Sequence, residues 1–162
     1  MPVLKILRYP DPVLKEVSRP VLRLDVEARS IIRDLVDTMR GSPGVGLAAP
    51  QLGHPRRIIA VDVTPKHPGA GLIVLVNPVI TSQRGVKTAR EGCLSVPEYT
   101  ANVKRATEIT VKGLGPDGEE LVIISADFEA VALQHEIDHL DGILFIDRIS
   151  NMKRDLFRRK VK

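Results

Sequence analysis

Between Asp127 and Gly142 the chain reads DFEAVALQHEIDHLDG, with His135 and His139 four residues apart and Glu136 directly after the first histidine. In a helix, positions i and i+4 lie on one face a turn apart, so the two imidazoles can share one metal ion with the glutamate beside them. Asp127 stands where an N-cap is expected. Phe128, Val131, Ala132 and the histidines fall at the spacing of one buried side, the pattern of an amphipathic helix. The remainder of the chain has to hold that helix where a third ligand can reach it.

An earlier helix is predicted from an N-cap at Asp25 through DVEARSIIRDLVDTMRG, where Val26, Ile31, Ile32, Leu35, Val36 and Met39 recur at helical spacing before Gly41-Ser42-Pro43-Gly44 stops it. Residues 58–63, 73–80, 86–89, 108–114 and 120–125 read as strands, separated by turns such as PGAG and GPDG. Several strands and few helices without β-α alternation indicate an α+β fold. The expected form is mostly antiparallel sheets around a central helix carrying HExxH, with an N-terminal helix and a C-terminal helical tail. With 162 residues and neither repeats nor a long linker, a single domain over 1–162 is expected. Such a domain buries roughly two-thirds of its unfolded surface without staples.

The stretch MPVLKILRYPDP is broken by Lys5, Arg8 and three prolines, which fits neither a signal-peptide core nor a transit segment. No apolar run approaches the roughly 20 residues of a membrane span. A lone cysteine, Cys93, cannot form an internal disulfide and suits a reducing compartment. A cytoplasmic protein with no membrane and no DNA partner is expected. The net charge of +4 is concentrated in NMKRDLFRRKVK, residues 151–162, which carries six Lys/Arg against one Asp. Ile149, Met152 and Leu156 would line one side of a helix there, turning Lys153, Arg154, Arg158 and Lys160 outward.

Cys93 lies in EGCLSVP, a turn-like stretch after a strand. A lone cysteine is commonly just a small buried hydrophobe. A catalytic metal, however, takes three protein ligands and leaves one position open, and two histidines with one thiolate form a known set. Thioredoxin-like chemistry would need a partner cysteine, and Cys-His nucleophilic catalysis leaves Glu136 unexplained. His54 and His67 stand in polar, Gly/Pro-flanked loops and receive no role. In SPGVGLAAPQLG, Gly44-x-Gly46-x-x-Ala49 follows a helix and ends at Pro50, the reverse of the context a dinucleotide fingerprint needs. Its glycines instead permit close approach of backbone to an extended peptide, with the Gln51 carboxamide alongside.

GVGLAAPQ (44–51), EGCLS (91–95) and QHEIDH (134–139), in this order, resemble the three motifs of the peptide deformylases, and the likeness runs from Pro10-Asp11-Pro12 to the histidine helix. The resemblance implies removal of the N-formyl group from the initiator methionine of new proteins, with release of formate. It implies Cys93, His135 and His139 as metal ligands, and Glu136 as general acid/base to a hydroxide generated at the ion. Gln51 and the Leu94 backbone N–H would hold the oxyanion. Val45, Phe128, Val131 and Ala132 become candidates for the methionine pocket, and Gly46 and Gly92 for backbone contact with the peptide. Glu91, Asp138 and Arg105 form a candidate charge network behind the ligands. The implied ion is Fe2+, although the ligand set suits Zn2+, Ni2+ or Co2+ as well.

Two rival classes are weighed against this. A small zinc peptidase would share HEIDH, yet a cysteine ligand and GVGLAAPQ argue against it. A basic RNA-binding protein would lack a stacking platform, since aromatics make up 3% of the chain and Trp is absent. The expected partners are N-formylmethionyl nascent peptides and, through the basic tail, the ribosome.

Overall fold

A computed structural model describes residues 3–159. In chain order the strands are β1 (Gly46–Ala48), β2 (Ile58–Asp62), β3 (Leu72–Arg84), β4 (Lys87–Cys93), β5 (Val96–Arg105), β6 (Glu108–Leu114), β7 (Glu120–Ala126) and β8 (Leu156–Arg158). The helices are α1 (Val26–Arg40), α2 (Asp127–Leu140) and a single turn, α3 (Met152–Asp155). Five strands form one sheet in the order β1-β2-β3-β6-β7, and three form another in the order β4-β5-β8. Neighbouring strands pair antiparallel.

The alternation of side chains along β2 shows why the layers stack as they do. Ile58 and Ala60 point to one face, where Ile31, Ile32, Leu35 and Met39 of α1 cover them. Ile59 and Val61 point to the other, where they meet Ala130, Leu133, Ile137 and Leu140 of α2. The five-stranded sheet is thus sandwiched between the two helices. Beyond α2 lies the smaller sheet, whose Cys93, Val96, Ala101 and Val103 pack with Leu14, Leu144 and Phe145. Helix α2 therefore has protein on every side, and residues 130–140 are all buried.

Several expectations need correction. The second helix is not amphipathic: a helix between two sheets has no solvent face to carry polar residues. Asp127 is not its cap. It is the first helical residue, with φ 56, where the chain bends sharply out of β7, and its N–H donates to Thr107 O at 2.8 Å. Val26 is 83% exposed because the inward stripe of α1 begins at Ala28, which Asp25 does cap through the Ala28 N–H at 2.9 Å. Strand β3 extends past the expected 73–80 but shifts register between Val76 and Val79. There Asn77, at φ 54, bonds both the N–H and the carbonyl of Val21.

The tail is also not a helix beyond one turn. After α3 the chain becomes β8 and pairs with Tyr99–Ala101 of β5, so Leu156 packs in a strand and Met152 is 60% exposed. Lys153, Arg154 and Arg158 do face solvent, while Lys160 falls outside the described residues. Among the described residues no helix is long and apolar enough to cross a membrane.

Candidate metal centre

Three donor atoms, from Cys93 at the end of β4 and from His135 and His139 on α2, lie within 4.8 Å of one another, and all three residues are buried. Cys93 Sγ is 3.4 Å from His139 Nε2. A thiolate and an imidazole on one tetrahedral ion would stand about 3.6 Å apart, given the usual bond lengths. The donors fit a divalent transition metal both in spacing and in chemistry. Glu136 Oε1 is buried with no hydrogen-bond partner, as suits a group that meets water or substrate at the centre, while the equally unpartnered His139 Nδ1 is on the side of its ring away from Cys93.

The ligand helix is held by charge. His135 Nδ1–H donates to Glu91 Oε1 at 2.9 Å, which leaves Nε2 toward the centre. Arg105 grips both oxygens of Glu91 at 2.6 and 2.8 Å and reaches Asp138 at 2.6 Å. Arg148 closes the chain with two bonds to Asp138, at 2.5 and 2.7 Å. Burial works to raise the Glu91 pKa, but Arg105 and then His135 outweigh it and hold it at about 2. Burial likewise opposes ionisation of Cys93, yet facing His139 and His135 pull the thiol well below its usual range. Burial pushes Glu136 up to about 6, the charges of His135 and His139 opposing it and those of Cys93 and Glu91 adding to it.

Gln51 is pinned from both ends. Its Oε1 accepts the Ala48 N–H at 2.9 Å, and its Nε2 donates to Ser95 Oγ at 3.0 Å while lying 3.7 Å from Cys93 Sγ. Ser95 in turn donates to Leu7 O at 2.6 Å, which fixes its hydroxyl as the acceptor for Gln51.

A cavity of about 290 Å³ opens onto this centre. Val45, Gly46, Gly92, Phe128, Val131 and Ala132, singled out in the sequence, all line it, as do Gln51, Leu94, Cys93, His135 and Glu136. His139, 1% exposed, lies behind the wall. The outer edges of β1 and β4 flank the opening, since each is the first strand of its sheet. The glycines do more than permit approach. A Cβ at Gly46 would sit 2.6 Å from Glu136 Oε2, so the missing side chain makes room for the carboxylate. At Gly92 it would collide with the Arg159 guanidinium.

Sequence reasoning missed Ser95, although it lies inside EGCLS. It also missed Arg148, whose side chain is 43% exposed and carries no motif, and the cavity residues Lys66, Arg90 and Arg159.

The comparisons with known proteins agree with the geometry. Residues 3–155 match the family model described as polypeptide deformylase. The chain is 46% identical over 162 residues to a peptide deformylase of Thermodesulfovibrio yellowstonii, covering 100% of this chain and 98% of that protein. It is 48% identical over the same length to one of Syntrophobacter fumaroxidans, covering 100% and 95%. The crystal structure of a peptide deformylase from Legionella pneumophila superposes with a TM-score of 0.87 at 42% identity, over 94% of this chain and 89% of that one.

Proposed function

The chain belongs to the polypeptide deformylase family, and from that premise we propose how its residues carry out the reaction. It is a metal-dependent hydrolase that deformylates N-formylmethionyl peptides. Cys93, His135 and His139 would hold the ion on helix α2 and the end of β4. When bound, a divalent ion supplies Lewis acidity, making water acidic near neutrality and polarising a carbonyl oxygen. Iron(II) is the ion we propose, although the ligand set also accepts zinc, nickel or cobalt.

Glu136 is the general base and then the general acid. Buried beside the ligands with a pKa near 6, it is poised to take a proton from the attacking water and return it to the departing amine. Its carboxylate occupies the space left by Gly46, next to the outer edge of β1, where an extended peptide can add as a further strand. Gln51 Nε2–H, held beside Cys93, and the Leu94 backbone N–H donate to the oxygen that gains charge as the formyl carbon becomes tetrahedral. Val45, Phe128, Val131 and Ala132 form the apolar wall that takes the methionine side chain. The formyl carbon bears only hydrogen, so close packing of Gln51 and Glu136 around it excludes acetyl groups and internal peptide bonds.

The observation that carries this reading is the Cys-His-His donor cluster opening onto a cavity lined by Glu136 and Gln51. An HExxH zinc peptidase gains no support from a cysteine donor. Anaerobically purified protein should release formate from formyl-Met-Ala-Ser with close to one metal per chain, and leave Met-Ala-Ser whole. Cleavage of the unformylated peptide, or no formate, would overturn the assignment. The ribosome is the partner we propose for the exposed Lys153, Arg154 and Arg158, with affinity falling as salt rises.

A further inference from the structure

Strand β8 brings residues from far along the sequence to the mouth of the cavity. Gly92 of β4 pairs with Thr100 of β5, and Thr100 pairs with Phe157 of β8. One residue past β8, the Arg159 N–H donates to Glu98 O at 2.7 Å, which anchors its backbone beside β5. Its guanidinium lies over Gly92 and lines the cavity. Arg90 stands next to it, 3.7 Å from the Phe157 ring centroid, with Nε donating to Asn102 at 3.0 Å. Across the opening Lys66 sits 5.0 Å from the centre of the Phe128 ring.

The charges on this cavity wall are segregated. Its acids, Glu91 and Glu136, are 6% and 5% exposed, and the first is neutralised by Arg105. The solvent-facing charges lining the cavity, Lys66, Arg90 and Arg159, are all positive. Arg90 is already committed to Asn102 and the Phe157 face, whereas the Arg159 fork is directed over the glycine that flanks the ligand cysteine. A guanidinium so placed matches a carboxylate in two parallel hydrogen bonds.

We propose that Arg159 is a specificity-determining residue of this cavity, binding an acidic side chain carried by the residues that follow formyl-methionine and repelling a basic one. Arg90 and Lys66 add to the field that favours acidic peptides. The proposal rests on reading the cavity as the formyl-peptide site, and it concerns what surrounds the methionine rather than the chemistry at the formyl group.

The test uses the metal-loaded full chain and formylated peptide amides, so that the side chain is the only acid. Formyl-Met-Xaa-Ala-amide and formyl-Met-Ala-Xaa-amide are compared with Xaa as Asp, Ser or Lys, at low and high salt. At one of the two positions Asp should exceed Lys in kcat/KM by about fivefold at low salt, chiefly through KM, and the gap should shrink at high salt. Arg159→Ala should bring that ratio to near one, Arg159→Glu should invert it, and Arg159→Lys should keep part of it. Because the readout is a ratio between peptides, a purely structural loss, which lowers all of them together, would count against the proposal. Hydrolysis of the Ser peptides with no charge preference at either position, or a preference that survives in Arg159→Ala, would overturn it while leaving the deformylase reading intact. Failure to hydrolyse any formyl peptide would overturn both.

Discussion

Helices α1 and α2 have 15 and 14 residues, and the same sheet separates them, yet they meet different demands. Helix α1 buries a stripe of Ala28, Ile31, Ile32, Leu35 and Met39 and leaves Glu27, Arg29 and Arg33 in solvent. Its stability comes from apolar area and a capped end, contributions that are modest one by one. Helix α2 buries Gln134, His135, Glu136, Asp138 and His139 along with its apolar residues. Polar groups in such a place are costly unless partnered, and most of these have partners. Gln134 clamps both the N–H and the carbonyl of Ala106 at 2.9 Å, while Asp138 and His135 join the chain of charge through Arg105 and Glu91. The exceptions are Glu136 Oε1, beside the proposed ligands, and His139 Nδ1, on the side of its ring away from Cys93. A structural helix spreads its energy thinly, whereas a site-bearing helix depends on a few specific pairs.

The largest effect should come from the unpartnered group. Glu136→Gln preserves shape and removes the carboxylate, so formate release should fall by roughly 10²–10⁴-fold with metal content and melting temperature retained. Near-normal turnover in the purified variant would remove Glu136 from the mechanism. Next comes the buried network. Arg105→Leu leaves buried Glu91 with only the His135 N–H and Asp138 with only Arg148, and urea unfolding should show a loss of about 3–5 kcal/mol. The matching change on α1, Arg33→Leu, lies in solvent and should stay within about 0.5 kcal/mol. If the two variants melt alike, the contrast between the helices fails.

Acid should act on α2 before α1 through Glu91, which faces Arg105, His135 and, beyond Arg105, Asp138 and Arg148. Its carboxyl pKa falls from 4.5 to about 2 on folding. Between those values the unfolded chain binds the extra proton, so the contribution is complete above about pH 4.5 and disappears as pH falls through about 2. It amounts to about 3 kcal/mol. Denaturant midpoints across that range should therefore drop more for the wild type than for Glu91→Gln. The smallest effect belongs to α1: Asp25→Ala removes the cap on the Ala28 N–H and should cost about 1 kcal/mol without changing formate release.

The legibility of the sequence follows the same division. Helix α1 was readable because one buried stripe gives the helical period directly, and the candidate ligands Cys93, His135 and His139 were readable because they stand in EGCLS and QHEIDH, motifs that the fold brings together. The amphipathic reading of α2 failed because its polar residues face protein, which periodicity cannot report. Strand β5 was missed because VPEYTANVKR carries a proline and scattered charges, although Arg105 at its end, 4% exposed, was singled out through the family resemblance with Glu91 and Asp138. β1 and β8, of three residues each, are strands only because a partner lies beside them. For β8 that pairing also converts a segment that reads as a basic tail into a wall of the cavity.

The central claim is that Cys93, His135 and His139 bind one ion together. Titrating Co2+ into metal-free protein while recording the near-ultraviolet spectrum tests it most directly, because a thiolate bound to cobalt gives a charge-transfer band that imidazoles alone do not. The account expects that band to grow to one equivalent per chain, and Cys93→Ser to lack it and lose metal readily to a chelator. A band that is absent in the wild type, or metal retained equally by Cys93→Ser, would contradict it.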